Sequence, residues 1–199
     1  MNSLIKEYLI QKPAIQKRLQ EFKSLSEEEY FNEFLFCTLT PQSNAKKCWQ
    51  GVEEIQSSGI KSQAQLAKIL QAKTRFHNNK SKYIIQNIKN WNKIQSYLNN
   101  KNRIELRNLL AKEVKGYGLK EASHFLRNIG KSNSQLAILD RHILRNLKAL
   151  NVIKDKRIKG QKHYLEIEQK FLKFSKEINI PIDHLDLLFW SRENGEIFK

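Results

Sequence analysis

Long apolar runs are missing from this sequence: no window approaches the roughly eighteen consecutive apolar residues that mark a membrane-crossing helix. The N-terminal stretch MNSLIKEYLIQKPAIQKRL is charged throughout and has neither an unbroken apolar segment nor a small-residue cleavage site. A soluble, intracellular protein is expected, with no membrane partner. Cysteine is scarce. The two present, Cys37 and Cys48, stand eleven residues apart, with no Cys-x-x-Cys and no histidine pair at ligand spacing. That argues against a structural zinc or iron–sulfur site, and buried thiols are a better fit than a disulfide. Acidic residues are in deficit, twenty against thirty-six Lys and Arg, for a net charge of +16. An excess of that size attracts polyanions such as nucleic acid or an anionic membrane surface, but a solvated basic surface from an A+T-rich or heat-adapted genome fits as well.

Three prolines (Pro13, Pro41, Pro181) and seven glycines leave little to interrupt regular structure. Apolar residues recur at three-and-four spacing in Phe31, Phe34, Leu35 and Leu39; in Leu66, Ile69 and Leu70; and in Tyr83, Ile84, Asn87, Ile88 and Trp91. The pattern returns in Leu119, Ala122, Phe125, Leu126 and Ile129, in Ile143, Leu144, Leu147 and Leu150, in Leu165, Glu168, Phe171 and Leu172, and in Leu185, Leu188 and Phe189. Each is one stripe of a helix, and no sustained β alternation competes, so an all-α fold is expected. The Lys- and Asn-rich stretch from Asn87 to Arg103 reads as a polar helix ending in a loop, and nothing in the composition marks a domain boundary.

Two glycines fall within three residues in Val114-Lys115-Gly116-Tyr117-Gly118, between a helix ending near Glu113 and one beginning near Leu119. Glycine there permits positive φ, and the N–H groups entering the second helix suit a phosphate, with Lys115 adding charge beside them. An ordinary αα-hairpin closed by a glycine looks the same. Lys120 lies in the first turn of the next helix, beside that anion site. At the positive end of a helix and among cations an amine loses its proton more readily, as nucleophilic attack requires; a plain surface lysine is the alternative. Twenty residues on, Asp140 ends the strand-like run Leu136-Ala137-Ile138-Leu139 and opens a helix from Arg141 to Leu150, so it reads first as an N-cap.

VKGYGLKEASHFLRNIG, followed by LAILDRHILRNL, resembles the signature of the endonuclease III superfamily of helix-hairpin-helix DNA glycosylases. Glu121 to Asn128 after the lysine, with Ile138-Leu139-Asp140-Arg141-His142 later, is similar to the 8-oxoguanine DNA glycosylases of the second type. Arg75-Phe76-His77 with Lys80 to Ile85, the ending Leu185 to Trp190 through Lys199, and Phe31 to Thr40 extend the likeness over most of the chain. Pro41-Gln42-Ser43-Asn44 departs from it, since that branch usually has Ala-Asn after Leu-Thr, and looks more like the Gln-containing loop of endonuclease III proper.

The resemblance implies a flipped nucleotide, attack of Lys120 on C1′, a Schiff base and strand elimination, with Asp140 activating the amine and stabilising charge on the sugar. The hairpin Lys115, Gly116, Tyr117 and Gly118 would grip phosphates through backbone N–H groups. It implies that the Lys199 carboxylate and the Trp190 indole line the lesion pocket, although Trp190 fits core packing beside Leu187 and Phe189 equally well. His124 would contact the lesion nucleotide or be a structural histidine. Phe76 would wedge into the gap or be buried beside Tyr83. Gln42 would fill the orphan-base position, and Arg141 and His142 would be structural or phosphate neighbours. No metal or organic cofactor is called for; the expected partner is duplex DNA with an oxidised base, bound by a monomer. An oxidised pyrimidine or abasic substrate, or a non-catalytic DNA-binding module, are the competing readings. The expected architecture is two helical lobes, 22–128 and 1–21 with 129–199, with the helix-hairpin-helix at the cleft between them and the lysine and aspartate facing across it.

Overall fold

The computed structural model describes residues 2–59 and 62–199. Among them are eleven helices and no strand. By internal contacts the chain divides into two compact units, Ser26–Phe125 and, joined to the residues up to Leu25, Leu126–Lys199. Among the described residues no helix is long and apolar enough to cross a membrane.

The Ser26–Phe125 unit contains α2 (Tyr30–Leu39), α3 (Ala45–Ser58), α4 (Gln63–Leu70), α5 (His77–Lys89), α6 (Trp91–Tyr97), α7 (Arg103–Glu113) and most of α8 (Leu119–Asn128). Short polar side chains start several of them: Asn44 accepts from the Lys47 N–H at 3.1 Å, and Asn102 from Ile104 and Glu105 at 3.1 and 3.2 Å, satisfying donors the helix leaves open. The expected stripes bury Phe34, Leu35, Leu39, Leu66, Leu70 and Ile84, and α7 adds Leu106 and Leu110. An aromatic cluster of Phe31, Phe34, Trp91, Tyr117 and Phe125, with ring centroids 5.0–6.3 Å apart in the paired rings, fills the centre. The stretch read as one polar helix is divided: α5 ends at Lys89, and α6 buries Ile94.

In the second unit α1 (Asn2–Lys23) packs on α11 (Ile182–Asn194), which also meets α9 (Arg141–Ala149) and α10 (Gly160–Glu177). The buried face of α10 is Tyr164, Ile167, Glu168 and Phe171; Leu165 and Leu172, assigned to the stripe by spacing, are only half-buried. The run Leu136–Leu139 is buried but forms no strand, correcting the strand-like reading. Its peptide groups are met by side chains of α10: the Ala137 N–H donates to Glu168 Oε1 at 2.7 Å and Tyr164 Oη donates to the Ala137 carbonyl at 2.6 Å. A buried backbone segment requires such partners, which explains an acid inside an apolar stripe. Both cysteines are buried thiols in no disulfide, and Cys48 Sγ lies 3.2 Å from the Leu39 carbonyl.

Candidate active site

The hairpin is fixed from both sides. The Tyr117 ring enters the aromatic cluster and its hydroxyl donates to the Phe34 carbonyl at 2.9 Å, so burial pushes the phenol well above its ordinary value. Asn87 of α5 spans the Lys115 peptide: Nδ2 donates to its carbonyl at 2.9 Å and Oδ1 accepts its N–H at 3.0 Å. Gly116 has φ +87, and a Cβ there would lie 2.6 Å from Tyr83 Cδ2, so both backbone and space demand glycine.

The loop's donors are partly committed. The Lys115 N–H goes to Asn87, the Tyr117 N–H to the Val114 carbonyl at 3.2 Å, and the Gly118 N–H to Glu121 Oε2 at 3.0 Å. Among the described residues, Gly116 and the first turn of α8 are left with N–H groups open to an anion. Such a turn end favours negative charge, and Lys115 is exposed beside it.

Lys120 stands in that first turn, half-buried, with Nζ 2.9 Å from Glu121 Oε1. Where sequence reasoning placed cations around this amine, the structure adds a carboxylate that joins the amine to the hairpin: one oxygen of Glu121 takes the Gly118 N–H, the other holds Lys120. One turn later His124 is buried, its ring 5.6 Å from Phe36 at 73°, an edge-to-face contact.

Phe76 is not buried beside Tyr83, as one sequence reading allowed: it is 52% exposed, at the start of α5, with φ +57. Gln42 is exposed too and has φ +56. A bulky residue in the left-handed region is uncommon, and two occur on neighbouring segments. Between them lies Lys80, which the sequence reading placed in the family-like stretch from Lys80 to Ile85 without giving it a role. Its amine is buried and donates to the Leu39 and Pro41 carbonyls at 2.7 and 2.8 Å and to Thr74 Oγ1 at 2.8 Å. Burial lowers its pKa to about 8, with Cys48 and Glu121 acting in the opposite sense and Lys120 and Arg75 reinforcing the fall.

In the second unit Asp140 is the N-cap of α9, as its position suggested. Oδ1 accepts from the His142 and Ile143 N–H groups, both at 2.8 Å, while Oδ2 has no hydrogen bond among the described residues. The aspartate therefore caps with one oxygen and keeps the other available. Trp190 is half-buried on α11 with its ring 6.1 Å from Phe198, and Lys199 is buried with Nζ 5.9 Å from the Phe22 ring. Arg141, His142 and Arg145, with Lys156 and Glu193, line a cavity of about 450 Å³. No group of three or more potential metal-ligating side chains occurs among the described residues.

The described residues, all-helical and with a glycine hairpin joining α7 to α8, define a helix-hairpin-helix protein. The family model described as 8-oxoguanine DNA glycosylase matches residues 15–180, and the chain belongs to that family. Among its relatives, the 8-oxoguanine DNA glycosylase/AP lyase of Fusobacterium nucleatum is 37% identical, covering 100% of this chain and 97% of that protein. The enzyme of the same name from Methanocaldococcus jannaschii is 36% identical over 94% of this chain and 93% of that one. Of solved structures, the Thermotoga maritima 8-oxoguanine DNA glycosylase superposes with a TM-score of 0.89 at 30% identity, covering 100% and 97% of the two chains. The M. jannaschii glycosylase/lyase in complex with a 15-mer DNA containing 8-oxoguanine gives 0.89 at 32% identity, covering both chains fully.

Proposed function

We propose that this chain excises 8-oxoguanine from duplex DNA inside the cell and nicks the strand at the resulting abasic site, with Lys120 as nucleophile. The observation that carries the reading is the placement of Lys120 at the exit of the glycine hairpin, in a chain whose likeness to glycosylase/AP lyases runs over its whole length. Phosphates would dock on the Gly116 and first-turn N–H groups beside Lys115, gripping the backbone without reading sequence. The lesion nucleotide must leave the stack for C1′ to be reached.

The neutral Lys120 amine attacks C1′; the N-glycosidic bond breaks and its electron pair leaves with the base, which takes up a proton. The sugar ring opens, its O4′ gaining a proton, and Lys120 is left as an iminium on C1′. Loss of a C2′ proton then pushes out the 3′ phosphate, and water returns the lysine. Asp140, with Oδ2 unspent, stabilises positive charge on the sugar and takes up the amine proton. Trp190, Lys199 and His124 recognise the lesion base, Phe76 fills the gap it leaves, and Gln42 meets the orphan base.

Borohydride reduction of a Schiff base makes a covalent crosslink, so trapping on a duplex carrying 8-oxoguanine opposite cytosine tests the reading. The intact chain should crosslink and Lys120→Gln should not. Asp140→Asn should keep the fold, because asparagine caps a helix as well as aspartate, while trapping slows by about a hundredfold. Trapping only on abasic or oxidised-pyrimidine duplexes would overturn the lesion assignment. Binding without trapping on any lesion would leave a DNA-binding module.

A further inference from the structure

We infer that Lys80 is a positioning residue that holds Gln42 and Phe76 as a single two-pronged probe of the opened base pair, and thereby sets which opposing base is accepted. The inference rests on the proposed reading that these two side chains touch DNA.

Two segments distant in sequence meet at this amine. From α2 and its exit loop come the Leu39 and Pro41 carbonyls and Ser43 Oγ, at 2.7, 2.8 and 3.2 Å from Nζ. From the loop before α5 comes Thr74 Oγ1, 2.8 Å from Nζ. An ammonium has three protons to offer, so the fourth and longest contact, to Ser43, is shared. The acceptors are tied to one another as well. Thr74 Oγ1 donates to the Leu39 carbonyl at 2.7 Å and lies 2.8 Å from Ser43 Oγ, which also accepts the Arg75 N–H at 2.9 Å. The 39–43 and 74–75 segments are thus joined through one buried cation.

Two of the six described non-glycine residues with positive φ, Gln42 and Phe76, project from these joined segments. Neither is repaid by packing, since Gln42 is exposed and Phe76 keeps half its surface in solvent with the Arg75 guanidinium 5.3 Å from its ring. Strained backbone persists where its surroundings over-determine it, and it clusters at functional sites. A buried ammonium is a poor way to gain stability, because an apolar side chain of similar volume avoids the desolvation cost. What a fan of directed N–H donors supplies instead is fixed geometry. One apolar wedge and one amide at fixed separation suit a base pair with one partner removed: the phenyl fills the gap, and the amide offers donor and acceptor to the base left behind. Ser43, part of the Pro41–Asn44 stretch that departs from the related branch, belongs to this network, so the departure and the probe's geometry are linked.

The test is Lys80→Met, which fills the volume without the donors. On duplexes with 8-oxoguanine opposite cytosine and opposite adenine, the variant's two excision rates should converge, with excision opposite the preferred base falling about tenfold. Borohydride trapping on a preformed abasic site, which needs no wedge to extrude a base, should fall by a much smaller factor. A 2-aminopurine opposite the abasic site should lose the fluorescence change that the intact chain induces. Phe76→Ala and Gln42→Ala are the controls: if neither moves the opposing-base ratio, the reading that they touch DNA falls. If they do and folded Lys80→Met keeps the intact chain's ratio and fluorescence, the inference is overturned. Should Lys80→Met fail to fold, Ser43→Ala takes its place, since it removes one acceptor with Lys80 intact; an unchanged ratio there equally overturns the inference.

Discussion

Lys80 also titrates in a way that can be measured apart from catalysis. Burial brings its pKa from an ordinary value of 10.5 down to about 8, against the influence of Cys48 and Glu121 and with that of Lys120 and Arg75. Between these values the unfolded chain carries a proton that the folded chain has released, so stability rises with pH across the window. Below about pH 8 both states are protonated and the dependence on this group vanishes. Cys48 acts in the opposite sense: burial raises its thiol from 9.0 to about 11, so the folded chain keeps a proton that the unfolded one loses. Urea unfolding at about pH 7 and about pH 9 therefore isolates the lysine before the cysteine contributes strongly. The intact chain should gain stability over that interval relative to Lys80→Met. Parallel behaviour of the two proteins would mean that this amine is not desolvated.

At the scale of elements, the hairpin between α7 and α8 depends on α5, through Asn87 and Tyr83. Asn87→Leu keeps the buried volume but removes both hydrogen bonds to the Lys115 peptide. Leaving that N–H and carbonyl without partners should cost about 2 kcal/mol and loosen the loop. Duplex affinity, measured by fluorescence anisotropy, should weaken about fivefold to tenfold, while single-turnover strand cleavage at saturating enzyme falls far less. Equal losses in both would place Asn87 in the chemistry instead. The residue shows what the sequence made legible at this scale. Apolar spacing located the helices, since burying one stripe is what an amphipathic helix does. Asn87 and Glu168 sat in those stripes as polar members, and their partners, the Lys115 and Ala137 peptides, are 28 and 31 residues away. A stripe says that a side chain faces inward. It carries no signal of which backbone group, distant in sequence, will meet it.

For the whole molecule, Lys120, the capping aspartate and the hairpin were legible because each rests on local order: glycine at positive φ, a lysine in a first turn, an aspartate before a helix. Lys80 and Glu121 were not, because a buried cation and a bridging carboxylate look in sequence like two more charges in a chain of net +16. That net charge has its own consequence. Each phosphate neutralised releases condensed counterions, so the logarithm of duplex affinity should fall with the logarithm of salt by about 0.9 per contact. Lys115, exposed beside the open N–H groups of the hairpin, is positioned to make one such contact. Lys115→Gln should flatten the salt slope by about one contact and weaken 8-oxoguanine and undamaged duplexes equally. Phe76→Ala should do the reverse, leaving the slope intact and narrowing the preference for the lesion, because a phenyl ring displaces no counterion. Anisotropy titrations of both duplexes across a salt series decide the matter. If Lys115→Gln changed the ratio between the duplexes and not the slope, the hairpin would be reading the lesion, and its role as a sequence-blind grip on the backbone would fall.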